Sequence, residues 1–172
     1  MSEQNLERKT VFATPWFQVL ALASGQKHPN YIIQSPDFVC IVAVTETQEL
    51  LLVRQFRHAV AAETLELPAG HVETNETPEQ AARKELLEET GHVGDKFELL
   101  ACLSPSTSRF TNRVWCYFAA DARRSADAEI EAGLSCHCWS KGLKALLQEP
   151  DFYSSGNWAA LMAAVAQGKL KL

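Results

Sequence analysis

Apolar and polar positions along the chain predict a sheet protein with a few helices. Two nearly unbroken apolar runs, at residues 38–45 (FVCIVAVT) and 114–119 (VWCYFA), are typical of strands buried on both faces of a sheet. Shorter strand patterns occur at residues 10–12, 17–22, 31–33, 50–53, 97–102 and 134–139. The first three of these form an antiparallel piece that is too small to be stable alone, so it must pack on the rest of the chain or on a second subunit.

Helical patterns are fewer. Residues 141–147 predict a short helix, and residues 157–168 predict a longer one with an apolar stripe at Trp158, Leu161, Met162 and Val165. We expect that stripe, including Trp158, to pack in the core. The polar, alanine-rich segment 121–132 is predicted to be a loop.

The helix between Thr77 and Gly91 has clear boundary signals. Thr77 suits the N-cap, Pro78 suits the first helical position, and Gln80 completes a capping box with Thr77. Gly91 is suited to the left-handed conformation that ends a helix. These signals predict a helix from Pro78 to Thr90.

Three carboxylates lie on one face of this helix. Glu85, Glu88 and Glu89 are spaced i, i+3 and i+4, which places them within an arc of about 100°. Each like-charge pair at i, i+4 costs a helix about 0.2–0.5 kcal/mol. A divalent cation such as Mg²⁺ removes that penalty, whereas the alternative is a solvated acidic face. The glycine-led loop before the helix favours the cation.

The stretch Gly70–His92 (GHVETNETPEQAARKELLEETGH) closely resembles the Nudix box. The matching positions are Gly70, Glu76, Lys84, Glu85, Leu86, Glu88, Glu89, Gly91 and His92. Two of these depart from the pattern: Lys84 stands for the usual arginine and His92 for an aliphatic residue. Lysine keeps the charge but loses the planar fork of arginine. Glu76 is expected to orient the loop or to pair with Lys84.

The flanks of the box narrow the resemblance. Residues 53–57 (VRQFR), residues 66–70 (ELPAG) and Pro105 look like the ADP-ribose pyrophosphatase branch of the Nudix family. The resemblance implies an α/β/α sandwich with a mixed sheet for residues 37–172. It also implies that the antiparallel strands within residues 1–36 help to form a homodimer.

The same resemblance implies a site. The metal ligands would be the Ala69 carbonyl with Glu85, Glu88 and Glu89, and the cofactor Mg²⁺, with Mn²⁺ as its substitute. In this branch a glutamate in the loop after the box often activates water, but no acid occurs at residues 99–120. We therefore expect Glu88 or Glu89 to be the general base. The reserves for that role are Glu66, Glu129 and Glu131, and the expected substrate contacts are Arg54, Arg57, Glu66 and Arg109.

The composition of the chain indicates which partners and which cellular location to expect. The chain has 172 residues and a net charge of −5, which disfavours a nucleic-acid partner. The N-terminal residues lack the apolar core of a signal peptide, and the longest apolar run, residues 158–166, is too short for a membrane span. The five cysteines fit reduced core thiols rather than a disulfide framework, and the triplet Cys136-His137-Cys138 lacks zinc-site spacing. We expect a soluble, cytoplasmic protein.

The predicted activity is Mg²⁺-dependent hydrolysis of the pyrophosphate bond in a nucleoside diphosphate sugar. ADP-ribose is the first candidate substrate, and it would give AMP and a sugar phosphate. The alternatives are another nucleotide substrate (GDP-mannose, a dinucleotide or a nucleoside triphosphate) and a non-catalytic nucleotide sensor. A sensor needs an output domain, for which the chain after the box leaves little room.

Overall fold

The computed structural model describes residues 7–23, 25, 27–126 and 128–172. The strands are β1 (Arg8–Ala13), β2 (Gln18–Leu22), β3 (Asn30–Gln34), β4 (Phe38–Thr45), β5 (Leu50–Arg57), β6 (Ala62–Glu66), β7 (Ala69–His71), β8 (His92–Val93), β9 (Phe97–Leu103), β10 (Val114–Arg124) and β11 (Ser135–Trp139). The helices are α1 (Pro78–Thr90), α2 (Leu143–Leu146) and α3 (Ser155–Ala166).

The predicted apolar runs form the centre of a mixed sheet. Strand β4 pairs in parallel with β10 and antiparallel with β5, and the order along the sheet is β11-β5-β4-β10-β8. Strands β6, β7 and β9 pair beside this path with β5, β4 and β10. Because β4 and β10 have neighbours on both sides and layers on both faces, their sequences need no polar alternation.

Helices cover both faces of the sheet. On one face, α1 buries Ala81, Ala82 and Leu86 against a cluster that includes Ile41 and Leu51. On the other face, the longer apolar cluster joins alternate residues of the same strands to α2 and α3. The predicted α/β/α sandwich with a mixed sheet is therefore confirmed.

The N-terminal strands form a separate antiparallel sheet in the order β1-β2-β3. A short bridge links it to the main domain: the Ile33 amide donates to the Arg109 carbonyl at 2.6 Å, and the Thr111 amide donates to the Ile33 carbonyl at 3.0 Å. Every residue of β1 is exposed. The three antiparallel strands predicted near the N-terminus are therefore present, whereas the boundary at residue 36 stays a prediction, and residues 1–6 lie outside the described chain.

Helix α1 begins and ends as predicted. The Thr77 hydroxyl accepts from the Gln80 amide at 3.2 Å, and the Gln80 side chain accepts from the Thr77 amide at 2.8 Å. Gly91 adopts φ 71° and donates its amide to the Leu87 carbonyl. These contacts fix the register at which the three glutamates emerge from the helix.

Two expectations for the C-terminal part were wrong. Segment 121–132 is not all loop, because β10 continues to Arg124 by pairing with β8, a two-residue strand too short to show in the pattern. Trp158 is 39% exposed, and its indole nitrogen donates to the Phe152 carbonyl at 3.1 Å. The rest of the predicted stripe is confirmed: Leu161 is buried, and Met162 and Val165 pack against the same cluster, which also includes the small residues Ala160 and Ala164.

The cysteines are free thiols. Cys40 and Cys116 are buried as expected, but Cys102 and Cys138 are exposed, because β9 and β11 have a solvent face. In the part of the chain that is described, no helix has both the length and the apolar character of a membrane span.

Candidate active site

The acidic face of α1 is graded in burial. Glu89 is 5% exposed, Glu85 is half-buried, and Glu88 is exposed. Burial of a carboxylate is costly unless the charge is compensated. Glu85 and Glu89, one helical turn apart, are the most buried of the three carboxylates, so a positive charge between them would stabilise the site most.

The backbone at Ala69 and Gly70 meets these carboxylates. The Ala69 amide donates to Glu89 Oε2 at 2.9 Å, which fixes the carboxylate against the loop. A Cβ added at Gly70 would lie 2.1 Å from the Glu85 Cδ and Oε1 atoms. Glycine is therefore required here because the Glu85 carboxylate occupies the space where a side chain would begin.

Burial and mutual repulsion raise the pKa of both carboxyls. Burial and the charge of Glu88 raise the pKa of Glu85 to about 7. Burial, partly offset by the Ala69 amide, and the charge of Glu85 raise the pKa of Glu89 to about 8. Both ionised forms are unfavourable in the protein by itself. A bound cation would restore them.

The oxygen atoms at this site suit a hard cation whose remaining coordination positions are filled by water and substrate. Glu85 and Glu89 offer carboxylate oxygens, and the Glu89–Ala69 bond brings the main chain of Ala69 beside them. Among the described residues, no three acidic, histidine or cysteine side chains converge closely enough to hold a metal alone. Mg²⁺ commonly uses one or two carboxylates with waters and substrate phosphates, so an incomplete protein set suits it.

On strands β5 and β6, the guanidinium of Arg57 is paired with the buried carboxylate of Glu66. Arg57 Nε donates to Glu66 Oε1 at 2.9 Å, and Arg57 Nη2 donates to Glu66 Oε2 at 2.6 Å. Burial would raise the pKa of Glu66, but the hydrogen bonds from Arg57 and Thr64 and the charge of Arg57 outweigh it and lower that pKa. The charge of Arg57 also opposes the rise in the pKa of Glu89. Arg57 lies on the same face of β5 as Leu51, which packs in the cluster beneath α1.

A fourth carboxylate reaches the site from the segment after β10. The Glu131 amide donates to the Glu88 carbonyl at 2.9 Å, which ties this segment to α1. Glu131 lines one cavity with Glu88 and Glu129 and another, of about 310 Å³, with Glu89 and residues 132–134. Its charge raises the pKa of both Glu85 and Glu89. Sequence reasoning held Glu131 only as a reserve, because nothing in its local pattern shows that the segment folds back onto α1.

Two arginines expected to bind substrate have protein partners in the structure. Arg54 forms an ion pair with Asp151, on the sheet face opposite Arg57, so the structure does not bring it to the acidic cluster. The alternation of side chains along β5 accounts for this, since residues three apart point to opposite faces. Arg109 donates to the Tyr31 carbonyl at 3.3 Å beside the N-terminal sheet, and its substrate contact stays a prediction.

Lys84 has a different partner from the one expected. Its ammonium pairs with Glu73 at 2.5 Å, whereas the Glu76 carboxylate accepts from the Glu73 amide at 3.1 Å. The prediction that Glu76 orients the loop is confirmed, and the predicted pair with Lys84 is wrong.

An open cavity of about 740 Å³ lies between the N-terminal sheet and the loop that leads from Gly70 to α1. Its wall includes His71 and Val72, which follow Gly70 directly, and Trp16 at the N-terminal sheet. Trp16 is 71% exposed, and its ring centroid lies 6.4 Å from that of His71, which in turn lies 4.1 Å from that of Phe38. Sequence reasoning missed this aromatic group, because its members are far apart along the chain.

The NUDIX domain family matches residues 35–141, which include the loop, α1 and the strands that surround the acidic face. The chain belongs to the Nudix family. Its box glutamates are the acidic cluster described above.

Among curated relatives, an ADP-ribose pyrophosphatase of Bacillus subtilis (strain 168) is 30% identical over 100 residues, 56% of this chain and 54% of that protein. An ADP-sugar pyrophosphatase of Mus musculus is 38% identical over 87 residues, 47% of this chain and 40% of that protein. This Nudix chain therefore matches about half the length of these relatives. A crystal structure of an ADP compounds hydrolase superposes with a TM-score of 0.77 at 24% identity, covering 99% of this chain and 100% of that one, which shows a shared fold.

Proposed function

We propose that this Nudix protein is a Mg²⁺-dependent hydrolase of the pyrophosphate bond in nucleoside diphosphate sugars, with ADP-ribose as the first substrate to test. One observation carries the proposal most strongly. The buried Glu89 is fixed by the Ala69 amide and set beside Glu85, and Arg57 projects from β5 on the sheet face that α1 covers. This arrangement pairs a cation-binding acidic face with a separate positive group for a polyanionic substrate.

Each side chain has a distinct task in that reaction. Glu85 and Glu89, with the Ala69 carbonyl, would hold Mg²⁺, which neutralises charge on the pyrophosphate oxygens. Arg57 binds a phosphate oxygen and stabilises the charge that develops on the leaving phosphate. Glu88, exposed at the edge of the face, contributes charge to metal binding.

We assign the general base to Glu131 rather than to Glu88 or Glu89. The Glu89 carboxylate is engaged by the Ala69 amide, whereas Glu131 lines the cavities on both sides of the acidic face. Its carboxylate would take the proton of the attacking water while the water oxygen bonds to phosphorus. The bridging oxygen leaves with the electron pair, giving AMP and a sugar phosphate.

The aromatic cavity beside Gly70 supports a nucleotide substrate. A base lying between the exposed ring of Trp16 and the His71–Phe38 pair would be bound through its flat face, which aromatic side chains stack on. Base stacking is tolerant of base identity. Specificity for adenine is therefore measured by comparing nucleoside diphosphate sugars that carry different bases.

We also propose that the protein is a cytoplasmic homodimer formed through the N-terminal sheet. Val11 and Phe12 on β1 are 47% and 54% exposed, and the sheet has little of its own core. Replacing both residues with serine should convert a dimer to a monomer in analytical ultracentrifugation. A monomeric wild-type protein at the same concentration would refute this assembly.

The substrate test is hydrolysis of a panel of nucleoside diphosphate sugars, dinucleotides and nucleoside triphosphates with Mg²⁺, followed by release of phosphate from the products by a phosphatase. The proposal predicts the highest kcat/KM for a nucleoside diphosphate sugar. Faster turnover of a triphosphate or dinucleotide would reassign the substrate. Tight binding without turnover of any member would identify the chain as a nucleotide sensor.

A further inference from the structure

Thr64, Glu66 and Arg57 form a chain of hydrogen bonds on one face of β5 and β6. Thr64 lies on β6, two residues before Glu66, so both side chains project from the same face of the strand. Its hydroxyl donates to Glu66 Oε1 at 2.6 Å, and Thr64 is only 5% exposed. The contact is short, buried and made to a charged acceptor, which places it among the stronger hydrogen bonds in proteins.

The Glu66 carboxylate is held at both of its oxygens. Oε1 accepts from Thr64 and from Arg57 Nε, and Oε2 accepts from Arg57 Nη2. Without the hydroxyl, the only bonds left to the carboxylate among the described residues come from Arg57 itself, so the two groups can turn together about the broad terminal torsion of Glu66. Because the two Arg57 bonds share that carboxylate, such a rotation turns the whole guanidinium plane.

The guanidinium has a group left over for substrate. Arg57 Nη1 donates to no protein acceptor within the described residues, and the side chain is 44% exposed. Glu66 engages one edge of the planar fork, so the Nη1 edge is directed by the position of the carboxylate. The direction of Nη1 is therefore set two hydrogen bonds away, at Thr64.

We infer that Thr64 is a positioning residue: its hydroxyl fixes the Glu66 carboxylate, and through it the Arg57 edge that meets a substrate phosphate. The effect on substrate binding rests on the proposed pyrophosphate hydrolysis, whereas the hydrogen bonds among Thr64, Glu66 and Arg57 are seen in the structure. Valine has nearly the shape of threonine without the hydroxyl, and serine keeps the hydroxyl without the methyl group. The pair therefore separates the hydrogen bond from the packing.

The kinetic test compares Thr64→Val and Thr64→Ser with wild-type protein on the best substrate of the panel. A bond that orients a substrate-binding cation acts on binding, so Thr64→Val should raise KM by about five- to tenfold and change kcat by less than about twofold. Thr64→Ser should restore KM to within about twofold of wild type. Thr45→Val is the matched control, because Thr45 is also a buried threonine with hydroxyl hydrogen bonds, at the far end of β4.

A second readout needs no turnover. The Arg57 Nε–H gives a side-chain signal in ¹H–¹⁵N NMR spectra, assigned by its loss in Arg57→Lys. Thr64→Val should shift and broaden this signal and speed its exchange with water, whereas Thr64→Ser and Thr45→Val should not. An unchanged Nε–H signal in Thr64→Val overturns the inference, as does an unchanged KM in an active enzyme. If wild-type protein hydrolyses nothing, the proposed function fails, and the NMR signal still decides the role of Thr64.

Discussion

Substituting Gly70 by alanine tests how closely the loop before α1 fits the Glu85 carboxylate. The added Cβ would lie 2.1 Å from Glu85 Cδ and Oε1 and 2.5 Å from Oε2. Since carbon atoms in contact are separated by about 3.5 Å, the carboxylate must retreat by about 1.4 Å. The clashing atoms are the end of a flexible side chain and Gly70 does not have a positive φ, so the backbone need not be strained.

Gly70→Ala should therefore separate activity from stability. Displacing a catalytic group by about 1 Å can cost about 100-fold in rate, so kcat/KM for Mg²⁺-dependent hydrolysis should fall by about 100-fold. The midpoint of thermal unfolding should stay within about 3 °C of wild type. Both quantities are measured on one preparation, by the phosphatase-coupled assay and by differential scanning calorimetry.

Gly156→Ala is the matched control. Gly156 lies in α3, where the nearest atom to an added Cβ is Ser154 Oγ at 3.9 Å. Alanine there should leave kcat/KM unchanged and raise stability by about 0.5–1 kcal/mol. Wild-type activity in Gly70→Ala would refute the reasoning, because it would mean that the position of Glu85 does not matter for catalysis. Unfolding of Gly70→Ala would show that the loop, not the carboxylate, gives way.

Three further outcomes follow from the contacts described. Thr77→Ala removes the capping box of α1 and should lower the free energy of unfolding by about 1 kcal/mol, seen in urea titration as a lower midpoint with an unchanged slope. Arg54→Met breaks the partly buried pair with Asp151 and should cost about 1–2 kcal/mol while KM stays within about twofold of wild type; a large KM rise would return Arg54 to the substrate site. Mg²⁺ should raise the unfolding temperature of wild-type protein but not of Glu85→Gln, and an equal rise in both would place the cation elsewhere.

Local signals in the sequence predicted most of the fold. The bounds of β4 and of α1 agree with the apolar run and with the capping residues, because both depend on neighbouring residues alone. Failures arose where distant segments meet. The extension of β10 depends on the two-residue strand β8, and Trp158 bonds through its indole nitrogen to the Phe152 carbonyl in the segment before α3.

In the candidate site, too, features that depend on neighbouring residues could be predicted, and those that depend on distant segments could not. The helical spacing of Glu85, Glu88 and Glu89 is enough by itself to place them on one face of α1. Strand alternation, applied to β5, would have shown that Arg54 and Arg57 point to opposite faces. The position of Glu131 could not be predicted from the local sequence, because its segment folds back onto α1 through a main-chain hydrogen bond with Glu88.

The proposed hydrolysis of a phosphoanhydride depends on the acidic face of α1. The most direct measurement is kcat/KM for ADP-ribose with Mg²⁺ in wild-type protein and in Glu89→Gln, with folding checked by circular dichroism. Glutamine keeps the size of the side chain and an oxygen for the Ala69 amide but removes the charge. We expect turnover in wild-type protein and a loss of at least about 100-fold in the variant. Equal rates in the two proteins would contradict it.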